Sequence, residues 1–304
     1  MRNIRLKYKN SIHHVMNRGD KGEKIFYSQK LKRYFIRLIE DLSKKFGIEI
    51  YAYVVLDNHY HIILKNTSGN ISKFMMVLNS KYALYYRSIN KGKGYVFQNR
   101  FRSILIQNER YIRECLIYLY LNPVRSGLTS NAYNYRWSSL YKVFESSPLK
   151  STLRIIIDLF GSIDNFNMCL VNKDSSLPNI KKFKNIDFIG TNRFILHSIS
   201  VFERRKQNEC KANPRRRTSD KVKIPIKLIH EEIYKKFKIN LKYATRKTVN
   251  VKKAYSILIS LKDNYLMSFK EINELKLFNT YSHKSLSNIY NRYNILKNKK
   301  IKHS

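Results

Sequence analysis

The first half of this 304-residue chain is predicted to form an α+β fold, and its last part is predicted to be all-α. Two observations lead to this prediction. Up to about residue 124, short runs rich in β-branched and aromatic residues alternate with longer amphipathic stretches, as strands and helices do. From Pro225 onward only the helical periodicity remains. The chain therefore combines a mixed domain with a helical one.

The elements of the first half are expected in the order β-α-β-β-α-β-α, which is that of a ferredoxin-like, split-βαβ antiparallel sheet with its helices on one face. Gly47 ends the first helix, and Asn70 or Ser72 caps the second. Asn108 caps the third helix, which ends near Pro123. The strands are expected at residues 10–19, 48–56, 59–65 and 100–107, and the helices at 28–46, 70–90 and 108–124.

The middle of the chain is expected to be a helical extension that ends in a basic linker. Two short helical segments follow a polar break at residues 145–151. The stretch FERRKQNECKANPRRRTSDK (202–221) carries a run of charge and Pro214, which is typical of a tether, and it is also a candidate arm for phosphate contacts. Four more helices are expected at 226–237, 251–264, 268–278 and 282–300. The predicted domains are residues 1–145, 146–224 and 225–304.

The charge of the chain indicates a polyanionic partner. Lysine and arginine number 60 against 21 acidic residues, which gives a net charge of +39. Such an excess strains a compact fold by self-repulsion unless a polyanion relieves it. Nucleic acid, bound through its phosphates, is the partner most typical of such a protein. An AT-rich genome would favour lysine codons, but it would not strongly disfavour those for Asp and Glu.

Several classes of protein are disfavoured by the sequence. No apolar run approaches the roughly 20 residues of a membrane span, so we expect no membrane partner. The N-terminus lacks the apolar core of a signal peptide. The three cysteines, Cys115, Cys169 and Cys210, are far apart and fit neither a zinc pattern nor a disulfide framework. We therefore expect a reduced, cytoplasmic protein.

The segment LDNHYHIILKN (56–66) contains a candidate metal-binding pair. Alternate residues of a strand share a face, so His59 and His61 lie on one side with Cα atoms roughly 6.5–7 Å apart. Two imidazoles at that spacing can bind one divalent cation, and the alternative is a solvated polar face. Mg²⁺ or Mn²⁺ also needs oxygen ligands. An amide oxygen of Asn122 could supply one.

The predicted third helix adds a candidate nucleophile. Tyr118 lies four residues before Asn122, one turn away on the same face of that helix. A tyrosine beside a metal and a phosphodiester is a plausible covalent nucleophile, while the metal polarises the scissile phosphate. Because the chain has 23 tyrosines, composition does not select Tyr118. A packed helix end is the alternative reading of YLYLNP.

Five segments in this order carry a resemblance to a known family: HHVMNRGDKGEKIF, AYVVLDNHYHIILK, YVFQNRFRSILI, YLYLNPVRSGL and NYRWSSL. Together they resemble the single-tyrosine HUH transposases, and most of all the REP-associated tyrosine transposases, over about residues 5–145. The resemblance implies an HUH nuclease domain that cuts single-stranded DNA with one tyrosine and a divalent metal. A 5′-phosphotyrosine link and a free 3′-hydroxyl result, and the step can be reversed to rejoin DNA.

The resemblance also implies roles for individual residues. His59 and His61 take the place of the metal pair, Asn122 that of the third ligand, and Tyr118 that of the nucleophile. Tyr120 is the alternative nucleophile, and since it lies about 200° further round the helix, both cannot face one metal. The metal would be Mg²⁺ or Mn²⁺. The resemblance does not decide between a monomer and a homodimer.

Further residues are expected to bind DNA rather than to react with it. In FQNRFR, rings would stack on bases while guanidinium groups hold phosphates, and a sheet edge with solvated arginines is the alternative. His14 is expected to be structural, and the role of His13 is left open. The candidate DNA-binding residues of this domain are Arg18, Phe97, Gln98, Asn99, Arg100, Arg102 and Arg125.

The C-terminal residues 225–304 are similar in layout to the DNA-binding domain of the replication initiator DnaA. That similarity implies a helix-turn-helix that reads duplex DNA, with Lys238 in the turn after its first helix. His283 and Lys284 fall in the recognition segment, where Ser282 replaces an Asp of the family. This departure puts the initiator's own sequence specificity in doubt, and a plain helical bundle is the alternative.

Three functions are compatible with these features of the sequence. The first is metal-dependent cleavage and rejoining of single-stranded DNA, leading to transposition or mobilisation of REP-like hairpin repeats. The second is a domesticated, non-catalytic DNA-binding regulator of such repeats. The third is a ferredoxin-like RNA-binding module, which would carry aromatic pairs on its central strands. The histidine pair favours the first. The expected partners are single-stranded hairpin DNA and, through the C-terminal domain, duplex DNA.

Overall fold

The computed structural model describes residues 6–91, 94–141, 150–172, 178–183, 186–212, 224–265 and 267–301. The chain divides into two compact units, Met1–Gly190 and Thr191–Ser304, each of which is described by itself.

The first unit is built on a six-stranded sheet. Its strands are β1 (Ser11–Arg18), β2 (Glu49–Val55), β3 (His59–Asn66), β4 (Arg102–Ile106), β5 (Lys181–Phe183) and β6 (Ile186–Ile189). The strand order is β2-β3-β1-β4-β6-β5. The first four strands are antiparallel in the ferredoxin-like order, and β6 lies parallel to β4. The predicted α+β class is confirmed.

One face of the sheet is covered by α1 (Gln29–Phe46) and α2 (Ile71–Asn90). The hydroxyl of Ser28 accepts from the backbone N–H of Leu31 and caps α1, and Gly47 ends it in the left-handed conformation with φ 60°. Apolar side chains recurring every three or four residues on α1 meet the alternate residues Tyr60, Ile62 and Leu64 of β3 in a fully buried core.

The opposite face carries α3 (Glu109–Tyr120), α4 (Asn122–Arg125), α5 (Lys150–Phe160) and α6 (Ile163–Asn172). The prediction of helices on one face only was therefore wrong. The physical reason is that the strands are apolar on both sides: Val54, Ile63 and Ile104 are fully buried in a second core with Leu116 of α3.

The predicted third helix is interrupted. Residues 108–124 were expected to be continuous, but α3 ends at Tyr120 and the short α4 starts at Asn122. Pro123 lies in the first turn of α4, where its missing N–H costs nothing, whereas inside a longer helix it would remove a hydrogen bond. Tyr118 and Asn122 therefore do not share one regular helix.

Two further corrections concern the middle of the chain. Strands β5 and β6 lie within the segment expected to be a helical extension, and α7 (Asn192–Ala212) occupies residues 202–212 of the expected linker. Strands of three and four residues are too short to produce a periodic signal. In α7 the apolar Ile195 and Ile199 start a helix that continues through good helix formers. Residues 213–221 of the expected linker lie outside the described residues.

The second unit is helical in its described residues, as expected. Besides α7 it contains α8 (Ile226–Phe237), α9 (Val251–Asp263), α10 (Phe269–Asn273) and α11 (His283–Ile301). Lys238, in the left-handed conformation with φ 55°, ends α8. The helix α10 is shorter than predicted, because the amide of Asn273 donates to the carbonyls of Phe278 and Tyr281 and closes a turn. Whether these helices act as a helix-turn-helix stays a prediction.

Among the described residues no helix has both the length and the apolar character that a membrane span requires. Cys115 and Cys169 are not part of a disulfide.

Candidate active site

The histidine pair lies on the face of β3 that α3 covers. The imidazole rings of His59 and His61 are 5.0 Å apart between centroids and nearly perpendicular. Tyr60, between them, points into the other core, where its hydroxyl donates to the side-chain oxygen of Asn79. The expected sharing of one face is therefore observed. At this separation both rings are within reach of a single ion, whose bonds to imidazole nitrogen measure about 2.1 Å.

The neighbour of His59 sets the tautomer of its ring. Nδ1 of His59 lies 2.6 Å from Oδ1 of Asn58. The amide nitrogen of Asn58 donates to the carbonyl oxygen of Gly22 at 3.4 Å, which fixes the amide so that its oxygen faces the ring. An amide oxygen only accepts, so Nδ1 of His59 carries the proton. The lone pair of His59 is therefore on Nε2, where it is available to a metal.

The neighbour of His61 is a third histidine. Nε2 of His14 lies 2.9 Å from Nδ1 of His61, and both side chains are buried. Either of these two nitrogens can carry the proton of this hydrogen bond, depending on the tautomers of the rings. When His61 holds it on Nδ1, the lone pair of His61 is on Nε2; when His14 holds it, Nε2 of His61 is protonated. Nδ1 of His14 is buried and has no hydrogen-bond partner among the described residues.

His14 is expected from the sequence to be structural, and its contact with His61 is not predicted. The sequence did contain a signal, which is the pair His13-His14 in β1. Adjacent residues of a strand point to opposite faces of the sheet, so one of these two histidines must lie on the same face as His59 and His61. His13 points the other way and lies between the hydroxyls of Ser11 and Ser103, at 2.8 and 3.0 Å.

The histidines of the site are neutral at pH 7. Burial lowers the pKa of His59 to about 4, with a smaller contribution from the positive charge of Arg18. Burial, followed by the charge of Arg102, lowers the pKa of His14 to about 3. The pKa of His61 lies well below 6.5, because of burial first and then His14, His59 and Arg125. Neutral imidazole is the form that binds metal.

Of the two candidate nucleophiles, Tyr118 is the one beside the histidines. Its half-buried ring lies 6.2 Å from that of His61 and 6.3 Å from that of His14. The guanidinium carbon of Arg125 is 3.9 Å from the centre of the Tyr118 ring, and one Nη donates to the Tyr118 carbonyl at 3.0 Å. A cation stacked in this way holds the ring in place.

Tyr120 has a different environment. It is 1% exposed, its hydroxyl lies 3.0 Å from that of Ser139, and its ring packs edge-on against Phe166. Burial raises the pKa of Tyr120. Its hydroxyl therefore belongs to the core on the α3 side, away from solvent.

Asn122 is the last of the catalytic and metal-binding residues that the sequence predicts. It is buried at the start of α4, and its Nδ2 has no hydrogen-bond partner among the described residues. Among the described residues, no group of three His, Cys, Asp or Glu side chains comes together as a metal site would require. The Asn122 atom without a partner is a donor and does not itself bind a cation, but two neutral imidazole nitrogens and an amide oxygen are the ligand types of a mixed nitrogen and oxygen site that Mn²⁺ and Mg²⁺ accept.

Most of the expected DNA-binding residues lie at the same end of the sheet. Arg18 pairs with His59 in the register of β1 and β3. Its guanidinium lies so close to Gly22 that a Cβ atom added to this glycine would be 3.0 Å from one Nη of Arg18. The N–H of Gln98 donates to the carbonyl of Arg18, and the amide of Asn17 donates to that of Asn99. The side chains of Arg18, Gln98, Asn99, Arg100 and Arg125 are exposed.

Two members of that set have other partners. Phe97 packs against the rings of Tyr60 and Tyr82, at 6.2 and 5.9 Å, so its ring contributes to the core on the α1 side. Nε of Arg102 forms an ion pair with Asp187 at 2.6 Å, because β6 lies beside β4. The sequence did not indicate this strand. It also missed Tyr95, an aromatic residue of the same loop that is 84% exposed.

His283 and Lys284 belong to the second unit and are exposed in the first turn of α11. The hydroxyl of Ser282 accepts from the N–H of Ser285 at 3.0 Å and so caps this helix. The serine that replaces the expected Asp therefore keeps the capping function of that position. A role of His283 and Lys284 in DNA binding stays a prediction.

Comparison with known proteins gives one family match. Residues 7–119 match the model of a family described as "Transposase IS200 like". These residues include β1 to β4, both histidines of the pair and Tyr118, whereas Asn122 follows the matched segment. Among curated proteins none matches significantly.

The solved structures that resemble parts of the chain include a transposase and a guanylyltransferase. A REP-associated tyrosine transposase bound to a REP hairpin is 21% identical, with 48% of this chain and 88% of that chain covered and a TM-score of 0.40. The tRNA(His) guanylyltransferase from Saccharomyces cerevisiae is 14% identical, with 59% and 84% covered and a TM-score of 0.32. At such low TM-scores neither likeness carries a functional conclusion.

Proposed function

We propose that the protein is a transposase that cleaves and rejoins single-stranded DNA through Tyr118, and the match of residues 7–119 to the model of the IS200-like transposases supports this proposal. The observation that carries this proposal is the position of the Tyr118 ring, 6.2 Å from His61 on the face where His59 and His61 lie together. A nucleophile and a pair of metal ligands are thus supplied by two neighbouring elements, β3 and α3.

In the cleavage step, the Tyr118 hydroxyl oxygen attacks the phosphorus of the scissile phosphodiester. The bond from phosphorus to the 3′ oxygen breaks as the bond to Tyr118 forms, which leaves a 5′-phosphotyrosine and a free 3′-hydroxyl. The phenolic proton passes to solvent, since Tyr118 is half-exposed and the nearby histidines have low pKa values. A 3′-hydroxyl of another strand reverses the step and rejoins the DNA, with no need for ATP because the phosphodiester energy stays in the covalent link.

His59, His61 and Asn122 are proposed to hold one Mg²⁺ or Mn²⁺. When bound, this cation polarises the scissile phosphate and stabilises the charge on the leaving oxygen. Asn58 and His14 then act as positioning residues, because each accepts the Nδ1 proton of its histidine and leaves Nε2 to the metal. Carbonyl or carboxylate partners usually play this part, and here a histidine takes their place beside His61.

Arg125 and Arg18 are proposed to bind the phosphates on either side of the scissile bond. Arg125 is exposed, lies on the Tyr118 ring and is close enough to His61 to affect its pKa. Arg18 is exposed at the register position opposite His59. Arg100, Gln98 and Asn99 continue this surface along the loop before β4. The motif resemblance to REP-associated transposases supports hairpin-flanked DNA as the substrate.

A denaturing gel with end-labelled, single-stranded hairpin DNA from the sequence flanking the gene tests the proposal. With Mg²⁺ or Mn²⁺, the parent protein is expected to form a covalent protein–DNA adduct, and Tyr118→Phe and His61→Ala are expected to form none. Tyr120→Phe is the matched control, since it removes the same hydroxyl two residues away and is expected to keep the adduct.

Two results would contradict the assignment. An adduct formed by Tyr118→Phe but not by Tyr120→Phe would move the nucleophile to Tyr120. If the parent binds several flanking hairpins and forms no adduct with any, the non-catalytic regulator becomes the better description. No contact among the described residues favours that second function.

A further inference from the structure

A cleft on the α1 side of the first unit combines three arginines with two aromatic rings. It has a volume of about 220 Å³. Its lining includes Arg33, Arg37 and Glu40 of α1 together with Arg136, Trp137 and Tyr141. Trp137 belongs to the NYRWSSL segment, to which the proposed cleavage mechanism assigns no role.

The charge of this cleft is strongly positive. Arg33 and Arg37 lie one turn apart on the exposed side of α1, an arrangement of like charges that weakens a helix slightly. Among the ion pairs of the described residues, none involves Arg33, Arg37 or Arg136. Glu40 supplies one carboxylate against these three guanidinium groups. An anion from a partner would offset this repulsion.

The indole of Trp137 is held firmly at the rim. Its carbonyl accepts from the N–H of Val55 at 2.9 Å, and the next residue, Ser138, bridges to Val54 on the edge of β2. The guanidinium of Arg136 is 5.7 Å from the ring centre, and the ammonium of Lys32 is 5.8 Å from it. The ring is partly exposed. The backbone of Trp137 is therefore fixed to the edge of β2, and its partly exposed ring lies beside the exposed Arg136, whereas Lys32 is paired with Asp57 at 2.6 Å.

These features together select the kind of ligand. The cleft is smaller than the pockets of roughly 300–1,000 Å³ that enclose small molecules, so it fits one residue of a longer chain better than a free ligand. Guanidinium groups bind phosphates, and an indole stacks on an unpaired base. A base inside a duplex has no free face for this contact. A single strand of nucleic acid satisfies all three conditions.

We propose that this cleft binds one unpaired nucleotide of the DNA substrate, with its base on Trp137 and its phosphates on Arg33, Arg37 and Arg136. That the strand is DNA rests on the proposed function. Val54, to which Ser138 bridges, is the register partner of His61. The backbone of Ser138 therefore lies two strand spacings, about 10 Å, from that of His61, while the cleft is on the α1 side of the sheet and the histidine pair is on the α3 side.

Trp137 is the single tryptophan of the chain, so its fluorescence reports on the cleft directly. The full-length protein is titrated with single-stranded oligothymidylate in the presence of EDTA, which prevents cleavage. We expect saturable quenching. The double variant Arg33→Gln/Arg37→Gln should bind roughly tenfold more weakly at low salt, with a salt dependence shallower by about 1.4 in logarithmic slope for two lost phosphate contacts.

The matched control is Arg110→Gln/Arg113→Gln, which removes two exposed arginines from α3 with the same change in charge. It should change the affinity less than twofold. Binding of Trp137→Phe, measured by the anisotropy of labelled DNA, should weaken as well, while its circular dichroism stays that of the parent. Absence of quenching, or equal losses in the two double variants, would overturn the proposal. So would equally strong quenching by thymidine monophosphate, since the cleft would then take free nucleotides.

The gel assay separates this inference from the cleavage proposal. If the adduct forms and Trp137 fluorescence does not respond to DNA, only the inference fails. If Trp137 is quenched and no adduct forms on any hairpin with metal present, the cleavage proposal fails and the nucleotide-binding cleft stands.

Discussion

Nε2 of His14 and Nδ1 of His61 are 2.9 Å apart in a buried setting, so the two rings share one proton. His61 can offer Nε2 to a metal only while it holds that proton itself. A cation would therefore select one of the two proton arrangements. In this sense His14 takes part in metal binding without touching the metal.

Replacement of His14 by leucine should weaken Mn²⁺ binding by about 10- to 100-fold, the usual effect of losing such a partner. Without the acceptor, the Nδ1 proton of His61 is no longer stabilised. Titration calorimetry or electron paramagnetic resonance of Mn²⁺ measures the affinity in the absence of DNA. His13→Leu is the control, because His13 is equally buried but contacts Ser11 and Ser103 instead. Equal losses in both variants would indicate a general effect on folding.

The Tyr120→Phe variant should lose stability and keep cleavage. Its hydroxyl bonds Ser139, whose own hydroxyl accepts from the N–H of Tyr53 on β2. Removal of one buried hydrogen bond costs about 1 kcal/mol. Urea unfolding followed by Trp137 fluorescence measures this cost for the first unit. A variant with unchanged stability and no cleavage would show that Tyr120 takes part in the reaction.

The stability of the first unit should decrease as the pH falls below 6.5 in the presence of EDTA. Burial lowers the pKa of His13 to about 3, whereas an unfolded histidine titrates near 6.5. The unfolded chain therefore binds the extra proton between these values, so the stability is fully present above pH 6.5 and is lost as the pH falls towards 3.

The expected slope is about 1.4 kcal/mol per pH unit for each such histidine. His13→Gln should reduce the slope between pH 6 and pH 4.5 by about that amount. The exposed His283→Gln of the second unit should leave it unchanged when Trp137 fluorescence is followed. An identical slope in His13→Gln and the parent would show that His13 is already protonated in the folded protein.

Binding of single-stranded DNA should depend steeply on salt. The net charge is +39, and contact with about six phosphates predicts a slope of about −4 in a plot of the logarithm of the binding constant against that of the salt concentration. Fluorescence anisotropy at several KCl concentrations measures the slope. A binding constant that does not change with KCl concentration would contradict the inference that the net charge serves to bind phosphates.

Local patterns explain why much of the fold was predictable. Amphipathic periodicity and the terminating Gly47 placed α1 within one residue of its observed limits. Strand alternation correctly placed His59 and His61 on one face. Both signals depend on residues that are neighbours in sequence.

The features that the sequence did not reveal depend on contacts between distant segments. The meeting of His14 with His61 follows from the antiparallel register of β1 and β3, where Met16 stands opposite His61. The four residues of β6 are too few to form a sequence pattern, yet one of them, Asp187, forms an ion pair with Arg102. The burial of Tyr120 and the partial exposure of Tyr118 follow from the packing of α3 against the sheet.

The parallel strand β6 also affects the behaviour of shorter chains. Residues 104–106 of β4 pair with residues 187–189 of β6, and the N–H of Gln107 donates to the carbonyl of Ile189. A polypeptide that stops after residue 145 would leave this side of β4 as a bare edge, ready to pair with a second molecule. In the full chain the outermost strand on this side of the sheet is β5, which is three residues long and starts with two lysines. Short, charged strands resist such pairing. This pair of strands, which contains no candidate catalytic residue, thus protects the sheet against aggregation.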